Sequence, residues 1–350
     1  MSFPSDNNFL ANNEISTPKI DRWRNWFFVL VLLAGAGYLS LKPFLTGWVA
    51  GAKIKIEAVV ISNLKISKTA SVGGDKVVLP PPLPKPPTPT RRADSVDLVE
   101  PFTARAIMAR DLASGYVLFA KNEYQKWPLA SVTKLLSALV LLDMNFDFAT
   151  TTVSATGELA DSYVAQGVEY QAEDFWLAAL VASSNRSIMS LAVATGLTED
   201  EFVAKINAKA KELGMPDTHL EDPTGLDPDN TTTASDAATL IAEAVRHDKI
   251  RMALLTREIN LADAEGENKL HIWNTDWLLL NWIPNQFLEF NGGKTGYIAV
   301  SDYNFVMQVG DGNGHLVNIA VLGAESHEAR FVEAKKVAEW VFESFEWVIQ

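Results

Sequence analysis

The chemistry-bearing residues of this chain stand out because their surroundings are apolar. In Pro-Leu-Ala-Ser-Val-Thr-Lys-Leu-Leu-Ser-Ala-Leu-Val-Leu-Leu-Asp (128–143), Lys134 is the single charge between Ser131 and Leu142. A helix apolar nearly all round is a buried helix. A buried ammonium is costly unless it is paired or used. Ser131 and Lys134 are three residues apart, so hydroxyl and amine share one helix face a turn apart. Burial would also push the amine toward its neutral, basic form. That pair reads as a nucleophile with its base. Pro128 suits a helix start, which predicts Ser131 in the first helical turn.

Two further clusters follow. Ser183-Ser184-Asn185 interrupts an apolar helical region over 175–194, and Lys294-Thr295-Gly296 follows Gly292-Gly293 where a strand is expected to begin. Each has a bland reading alone: a snorkelling lysine, a helix break, a strand entry. The chain also carries decoys in Ser62-Asn63-Leu64-Lys65, Lys68-Thr69-Ala70 and Ser5-Asp6-Asn7. Those lie in a polar tail and stalk, with no buried helix or strand to hold them. Order, separation and context set the other three apart.

The elements that must position them read as follows. Thr103–Asp111 and Gly115–Ala120 form a hairpin turning at Ala113-Ser114-Gly115. Thr198-Glu199-Asp200-Glu201 is a capping box opening a helix to about Leu213. Ser235 or Asp236 caps a helix to about His247. Tyr303–Val309 and His315–Gly323 flank a Gly-rich turn and form a second hairpin, and Glu328–Val348 is a final amphipathic helix. Helices enclosed between strands from distant parts of the chain predict an α+β fold with a sheet built from both ends.

Upstream, residues 1–25 are polar and rich in Asn and Ser. Trp26–Leu41 runs sixteen residues without a charge, and with Lys42 snorkelling the apolar segment 26–48 is long enough to span a bilayer. Trp23, Trp26 and Trp48 fit interfacial belts. The alternative is a cleaved signal peptide, with Ala34-Gly35-Ala36 or Ala50-Gly51-Ala52 at the cut. Residues 49–95 form a stalk, and Pro80–Thr90, with seven prolines in eleven residues, is an extended spacer. The globular domain is expected over 96–350.

Composition excludes several chemistries. There are no cysteines, hence no disulfide, cysteine zinc site or thiol catalysis. Residues 1–95 hold 12 Lys and Arg against 6 Asp and Glu, which leaves 18 against 37 in residues 96–350, a net of −19. A domain that acidic is a poor nucleic-acid binder. His219, His247, His271, His315 and His327 form no H-x-x-x-H ligand spacing, and no G-x-S-x-G elbow occurs.

The three motifs stand in the order of a penicillin-recognising serine acyl-transferase: Ser131-Val132-Thr133-Lys134, Ser183-Ser184-Asn185, Lys294-Thr295-Gly296. The chain resembles the low-molecular-weight penicillin-binding proteins, which are serine-type D-alanyl-D-alanine carboxypeptidases. The similarity runs from about Phe102 to Val348. It includes Ser114-Gly115-Tyr116-Val117-Leu118, Pro128-Leu129-Ala130, Pro223-Thr224-Gly225-Leu226, Asn274-Thr275-Asp276 and Gly293-Lys294-Thr295-Gly296-Tyr297.

The resemblance implies an antiparallel sheet flanked by helices, an all-helical subdomain and a site between them. It implies catalysis by Ser131, Lys134 and Ser183. Asn185, Lys294, Thr295, Gly296 and Tyr297 would bind substrate, with the N–H groups of Ser131 and Tyr297 as oxyanion hole. No metal or cofactor is implied. The substrate would be a peptidoglycan stem peptide ending in D-Ala-D-Ala, cut outside the cytoplasmic membrane, and β-lactams would acylate Ser131. A DD-endopeptidase, a class A-like β-lactamase and a non-catalytic penicillin-binding scaffold are the alternatives. Glu199, Glu201, Glu212 and Glu221 do not form the E-x-x-L-N loop a class A enzyme uses, so slow loss of a penicilloyl adduct is expected. Thr224 and Ser301 depart from the family pattern, and both are expected near enough to the site to shift substrate preference. The family's C-terminal β domain is not seen after the last helix, so tethering would fall to the N-terminal span.

Overall fold

The computed structural model describes residues 86–99, 101–149, 151–157, 163–267 and 269–347. The expected tail, the span over 26–48 and most of the stalk lie outside the described residues. No described helix is long and apolar enough to cross a membrane.

A five-stranded antiparallel sheet forms the centre of the domain. Its strands in chain order are β2 (Ala106–Asp111), β3 (Val117–Lys121), β10 (Glu289–Ile298), β11 (Asp302–Gly310) and β12 (Leu316–Ala324). The spatial order is β10-β11-β12-β2-β3, so the two ends of the domain meet at the β12–β2 pair. The central strands are buried on both faces, which explains their near-continuous apolar runs. In β2, Ile107 and Ala109 point to one face, while Ala106 and Met108 point to the other. The first face is covered by helix α7 (Ala329–Ser344) through Phe331, Ala334, Val337 and Val341. The second packs on α5 (Ala234–Ala244) and the helical lobe beyond it.

That lobe is built around α1 (Lys134–Asp143), with α2 (Ala172–Val181), α3 (Asn185–Ala194) and α4 (Glu199–Glu212) packed on it. Leu135, Leu136 and Leu141 are fully buried, each a gain of roughly 1.5–3 kcal/mol over exposure. The capping box forms as expected, with Thr198 and Glu201 reciprocally bonded and α4 running to Glu212. The expected α+β architecture, both hairpins and the helix break at Ser183–Asn185 are present.

Several local expectations are corrected. Pro128 does not start a helix. It lies in the short strand β4 (Trp127–Pro128), paired with β7 (Thr231–Thr232), and Ser131 sits in a 3-10 turn, Ala130–Thr133, ahead of α1. Ala130 is the reason: its left-handed φ of 51° turns the chain off the strand before the helix can begin. Thr233 rather than Ser235 or Asp236 caps α5, accepting the Asp236 N–H at 3.1 Å. That helix stops at Ala244, and α6 (Asp248–Leu255) follows.

The domain also starts earlier than Val96. Thr90–Arg91 is strand β1, paired with β13 (Phe345–Glu346), so the last helix ends at Ser344. Arg92 N–H adds a bond to Ser344 O at 2.8 Å. A chain beginning at Val96 should therefore be less stable than one beginning at Pro86, by about 1–3 kcal/mol for the lost backbone bonds. Urea unfolding of the two checks this, and equal midpoints would show the added strand contributes nothing.

Candidate active site

The site lies where the helical lobe meets β10, the edge strand of the sheet. A cleft of about 410 Å³ is lined there by Ser131, Ser183, Thr275, Thr295, Gly296 and Tyr297, with Tyr303, His327 and Arg330 behind them. A larger cleft of about 820 Å³ opens at the far end of β11, between Asp311–His315 and Trp347, and holds no serine or lysine.

Lys134 is 0% exposed. Its Nζ lies 2.9 Å from Ser131 Oγ, 2.7 Å from Asn185 Oδ1 and 2.7 Å from Thr224 O. The last two partners can only accept a hydrogen bond. A neutral amine gives them its two N–H groups and turns its lone pair to the Ser131 hydroxyl. Three distant segments thus orient one nitrogen toward one oxygen. That arrangement can activate a nucleophile.

Each partner is fixed locally. Ser183 has φ 62°, a left-handed conformation that breaks the helical path after α2. Ser184 then caps α3 by accepting the Ser187 N–H, which leaves Asn185 as the first helical residue, facing Lys134. Thr224 is held by Asp222, whose carboxylate accepts from the N–H groups of Thr224, Gly225 and Asp227 and from the Thr224 hydroxyl. Asn230, fully buried, donates to Asp222 O and reaches Thr133 Oγ1 beside the nucleophile. Gly225 is required by contact: a Cβ there would lie 2.0 Å from Ala130 O.

Lys294 approaches from β10 and is 1% exposed. Its Nζ donates to Ser183 Oγ at 2.7 Å, linking the second and third motifs. Thr295 Oγ1 lies 2.8 Å from Thr275 Oγ1. Gly296 passes close to the nucleophile's backbone, since a Cβ there would sit 2.8 Å from Leu129 O and 3.3 Å from Ser131 N. Tyr297, half-exposed, follows at the mouth of the cleft. All eight expected site residues therefore converge on one place.

Two expectations fail here. The Thr224 side chain faces Asp222 rather than the cleft, and only its carbonyl serves the site. Ser301 is fully buried, and its hydroxyl lies within the β10–β11 turn, 2.8 Å from Asp302 O and 3.1 Å from Ile298 O. Neither side chain lines the cleft, so neither is placed to tune substrate preference by contact.

Arg330 and Asp276 were not singled out as functional from the sequence. Arg330, from α7, lines the cleft and donates to Gly296 O at 3.2 Å. Asp276 is 1% exposed, accepts from Leu278 and Leu279 N–H groups, and has no partner for Oδ2 among the described residues. A Cβ on Gly293 would come within 2.6 Å of that oxygen, so only glycine lets β10 close over it. Burial pushes Lys294 well below the ordinary lysine range, aided by the neighbouring Lys134 amine and the Arg330 guanidinium and opposed by Asp276. Burial likewise pushes the Asp276 carboxyl up to about 6, against the pull of those two N–H groups, Arg330 and Lys294. Arg330 is lowered to about 10 by burial.

The raised Asp276 gives a stability prediction with a definite sign. A folded-state value above the ordinary 3.8 favours the folded state while the group is protonated, and that benefit is lost as pH rises through about 6. Between pH 4 and 7 the wild type should lose roughly 2 kcal/mol relative to Asp276→Asn, with a flat difference above. Denaturant titrations across pH check it. Parallel curves would show an ordinary carboxyl.

The chain is similar to known proteins over this same region. Residues 93–326 match the family model Peptidase_S11, D-alanyl-D-alanine carboxypeptidase. A D-alanyl-D-alanine endopeptidase of Pseudomonas aeruginosa is 30% identical over 249 residues, covering 70% of this chain and 79% of that protein. The Escherichia coli D-alanyl-D-alanine carboxypeptidase DacC is 31% identical over 274 residues, covering 74% and 64%. Among solved structures, a D-alanyl-D-alanine carboxypeptidase from Mycobacterium tuberculosis superposes with a TM-score of 0.63 at 28% identity. It covers 74% of this chain and all of that one.

Proposed function

The chain belongs to the D-alanyl-D-alanine carboxypeptidase family, and from that premise we propose that Ser131 is the nucleophile of a peptidoglycan-trimming DD-carboxypeptidase. The observation that carries the assignment is Lys134 Nζ at 2.9 Å from Ser131 Oγ, with its N–H groups already taken by carbonyl oxygens.

In the first half-reaction the Ser131 Oγ–H proton passes to Lys134 Nζ while Oγ bonds to the carbonyl carbon of the penultimate D-Ala. The N–H groups of Ser131 and Tyr297 receive the developing oxyanion, which the close approach of Gly296 to Ser131 N supports. Ser183, held by Lys294, passes a proton to the departing amine of the terminal D-Ala. Asn185 accepts from Lys134 and would bind the substrate amide. Arg330 supplies charge and Thr295 a hydroxyl for the terminal carboxylate, whose arrival would favour the ammonium form of Lys294, and each charge-assisted bond contributes about 1.5–3 kcal/mol. Water then attacks the ester, and Ser131 is regenerated.

A DD-endopeptidase reading is favoured by one observation: relatives with that name, from Pseudomonas aeruginosa and Escherichia coli, are covered over 79% and 76% of their length. No carboxylate lines the cleft among the described residues, which disfavours rapid β-lactam hydrolysis. For location, the sixteen uncharged residues Trp26–Leu41 support a membrane anchor with the catalytic domain outside the cytoplasm.

Incubation with benzylpenicillin should give one stable adduct by intact mass on the wild type and none on Ser131→Ala. D-Ala should be released from a pentapeptide ending in D-Ala-D-Ala. Adduct without D-Ala release would leave only a binding scaffold, and rapid adduct loss would indicate a β-lactamase. Cleavage of cross-linked dimers in preference to free D-Ala release would assign the endopeptidase. Removing residues 26–48 should move the protein from the membrane to the soluble fraction, and retention in the membrane would sink the anchor.

A further inference from the structure

Two indoles stand exposed beside the cleft: Trp273 is 47% and Trp282 54% solvent-accessible, with ring centroids 6.2 Å apart. Scattered surface hydrophobics need no explanation, but a pair this large leaves apolar area in water that a ligand can cover. Trp273 ends β9 (Leu270–Trp273), which pairs with β8 (Glu258–Leu261) in a two-stranded hairpin. The hairpin buries Ile259, Leu261 and Ile272 on its inner face. Its outer face sets Trp273 opposite Glu258 and His271 opposite Asn260, all exposed. His271 meets Trp273 edge-on at 5.0 Å, and its Nε2 lies 3.2 Å from Glu258 Oε2. Aromatic faces bordered by an amide, an imidazole and a carboxylate thus form one surface.

We propose that this surface is a docking platform for the glycan strand that carries the stem peptide, with neutral N-acetylated hexosamine rings against Trp273 and Trp282. The proposal rests on the peptidoglycan reading above. A pyranose ring presents an apolar C–H face ringed by hydroxyl and acetamido groups, which matches indole faces with polar neighbours at their rim. An acidic peptide would instead meet Glu258. The surface is also continuous with the cleft. Trp282 contacts Trp277 with centroids 5.8 Å apart, and Trp277 contacts His327 at 4.3 Å, which lines the cleft. Along the chain, Trp273 is two residues before the cleft residue Thr275, about 7 Å at strand spacing.

The platform is held in fixed relation to the cleft. Asn274, 4% exposed, donates to Leu254 O and Thr256 O, and Thr275 N–H donates to Val181 O. A sugar attached to a peptide seated at Ser131 stands four stem residues from the scissile bond, on the order of 14 Å along an extended chain. The consequence is a preference for glycan-attached stems over free peptide.

The test compares wild type with the double variant Trp273→Ala/Trp282→Ala on a free pentapeptide and on the same pentapeptide attached to its disaccharide repeat. The variant should lose about tenfold in kcat/KM on the glycan-linked substrate, the effect of one or two stacking contacts, and stay within about twofold on the free peptide. An unchanged rate of benzylpenicillin acylation shows that the variant is folded with its nucleophile intact. Chitotetraose, a neutral N-acetylglucosamine tetramer, should perturb the tryptophan fluorescence of the wild type, and Trp273→Tyr should retain part of that binding. Equal losses on both substrates, or no loss on either, overturn the platform. Should neither substrate release D-Ala, the functional reading fails, and chitotetraose binding alone decides for or against the surface.

Discussion

A lysine buried to zero exposure must find hydrogen-bond partners, and the rest of this domain is arranged to supply them. Lys134 takes one from its own turn, one from the start of α3 and one from a loop ninety residues on. None of these segments can deliver its oxygen alone. The loop needs the Asp222 carboxylate to hold its backbone N–H groups, and α3 needs the break at Ser183 to begin where it does. The site is therefore a product of the tertiary fold, and any loosening of the lobe is felt at one nitrogen.

Electrostatics sets the second constraint. Lys294 and Arg330 share a buried space with Lys134 nearby, and Asp276 is the anion that opposes them. An unoccupied site with excess positive potential is costly in a low-dielectric region. The cost is offset when an anionic substrate enters, so the cluster favours a ligand that brings its own carboxylate. Asp276 moderates this by sitting behind β10 with one oxygen unpartnered among the described residues, and it does not line the cleft.

The main features of the fold and the site were legible in the sequence because they rest on local signals. The apolar run around Lys134, the Thr198 capping box and the Gly-rich turn before β12 are readable within a few residues. What was not legible is non-local. Pro128 looked like a helix start because its own neighbourhood allows one, and only pairing with Thr231 makes it strand. Arg330 lies in a segment with no motif, the Asn274-Thr275-Asp276 motif gives Asp276 no role by itself, and the meaning of both comes from burial beside Lys294. Thr224 misled because its position was read as a side chain, whereas the structure uses its carbonyl. Thr90–Arg91 was hidden by the proline run ahead of it, since its partner Phe345–Glu346 is at the other end of the domain.

The backbone at the site shows how much structure such a geometry requires. Ala130 and Ser183 both hold left-handed φ angles, 51° and 62°, at a cost on the order of 1 kcal/mol each for residues with a Cβ. Glycine would adopt either conformation freely, but at 183 it would remove the hydroxyl that Lys294 holds at 2.7 Å. At 130 the methyl lies 3.2 Å from the Cβ position of Gly296, against the edge strand. The strain is thus located at Ala130, beside Ser131, and at Ser183 itself, and the packed lobes on either side hold it there. A domain relaxed at those positions would keep its sheet and its core. It would lose the alignment of Ser131, Lys134 and Ser183 on which the proposed acyl transfer rests.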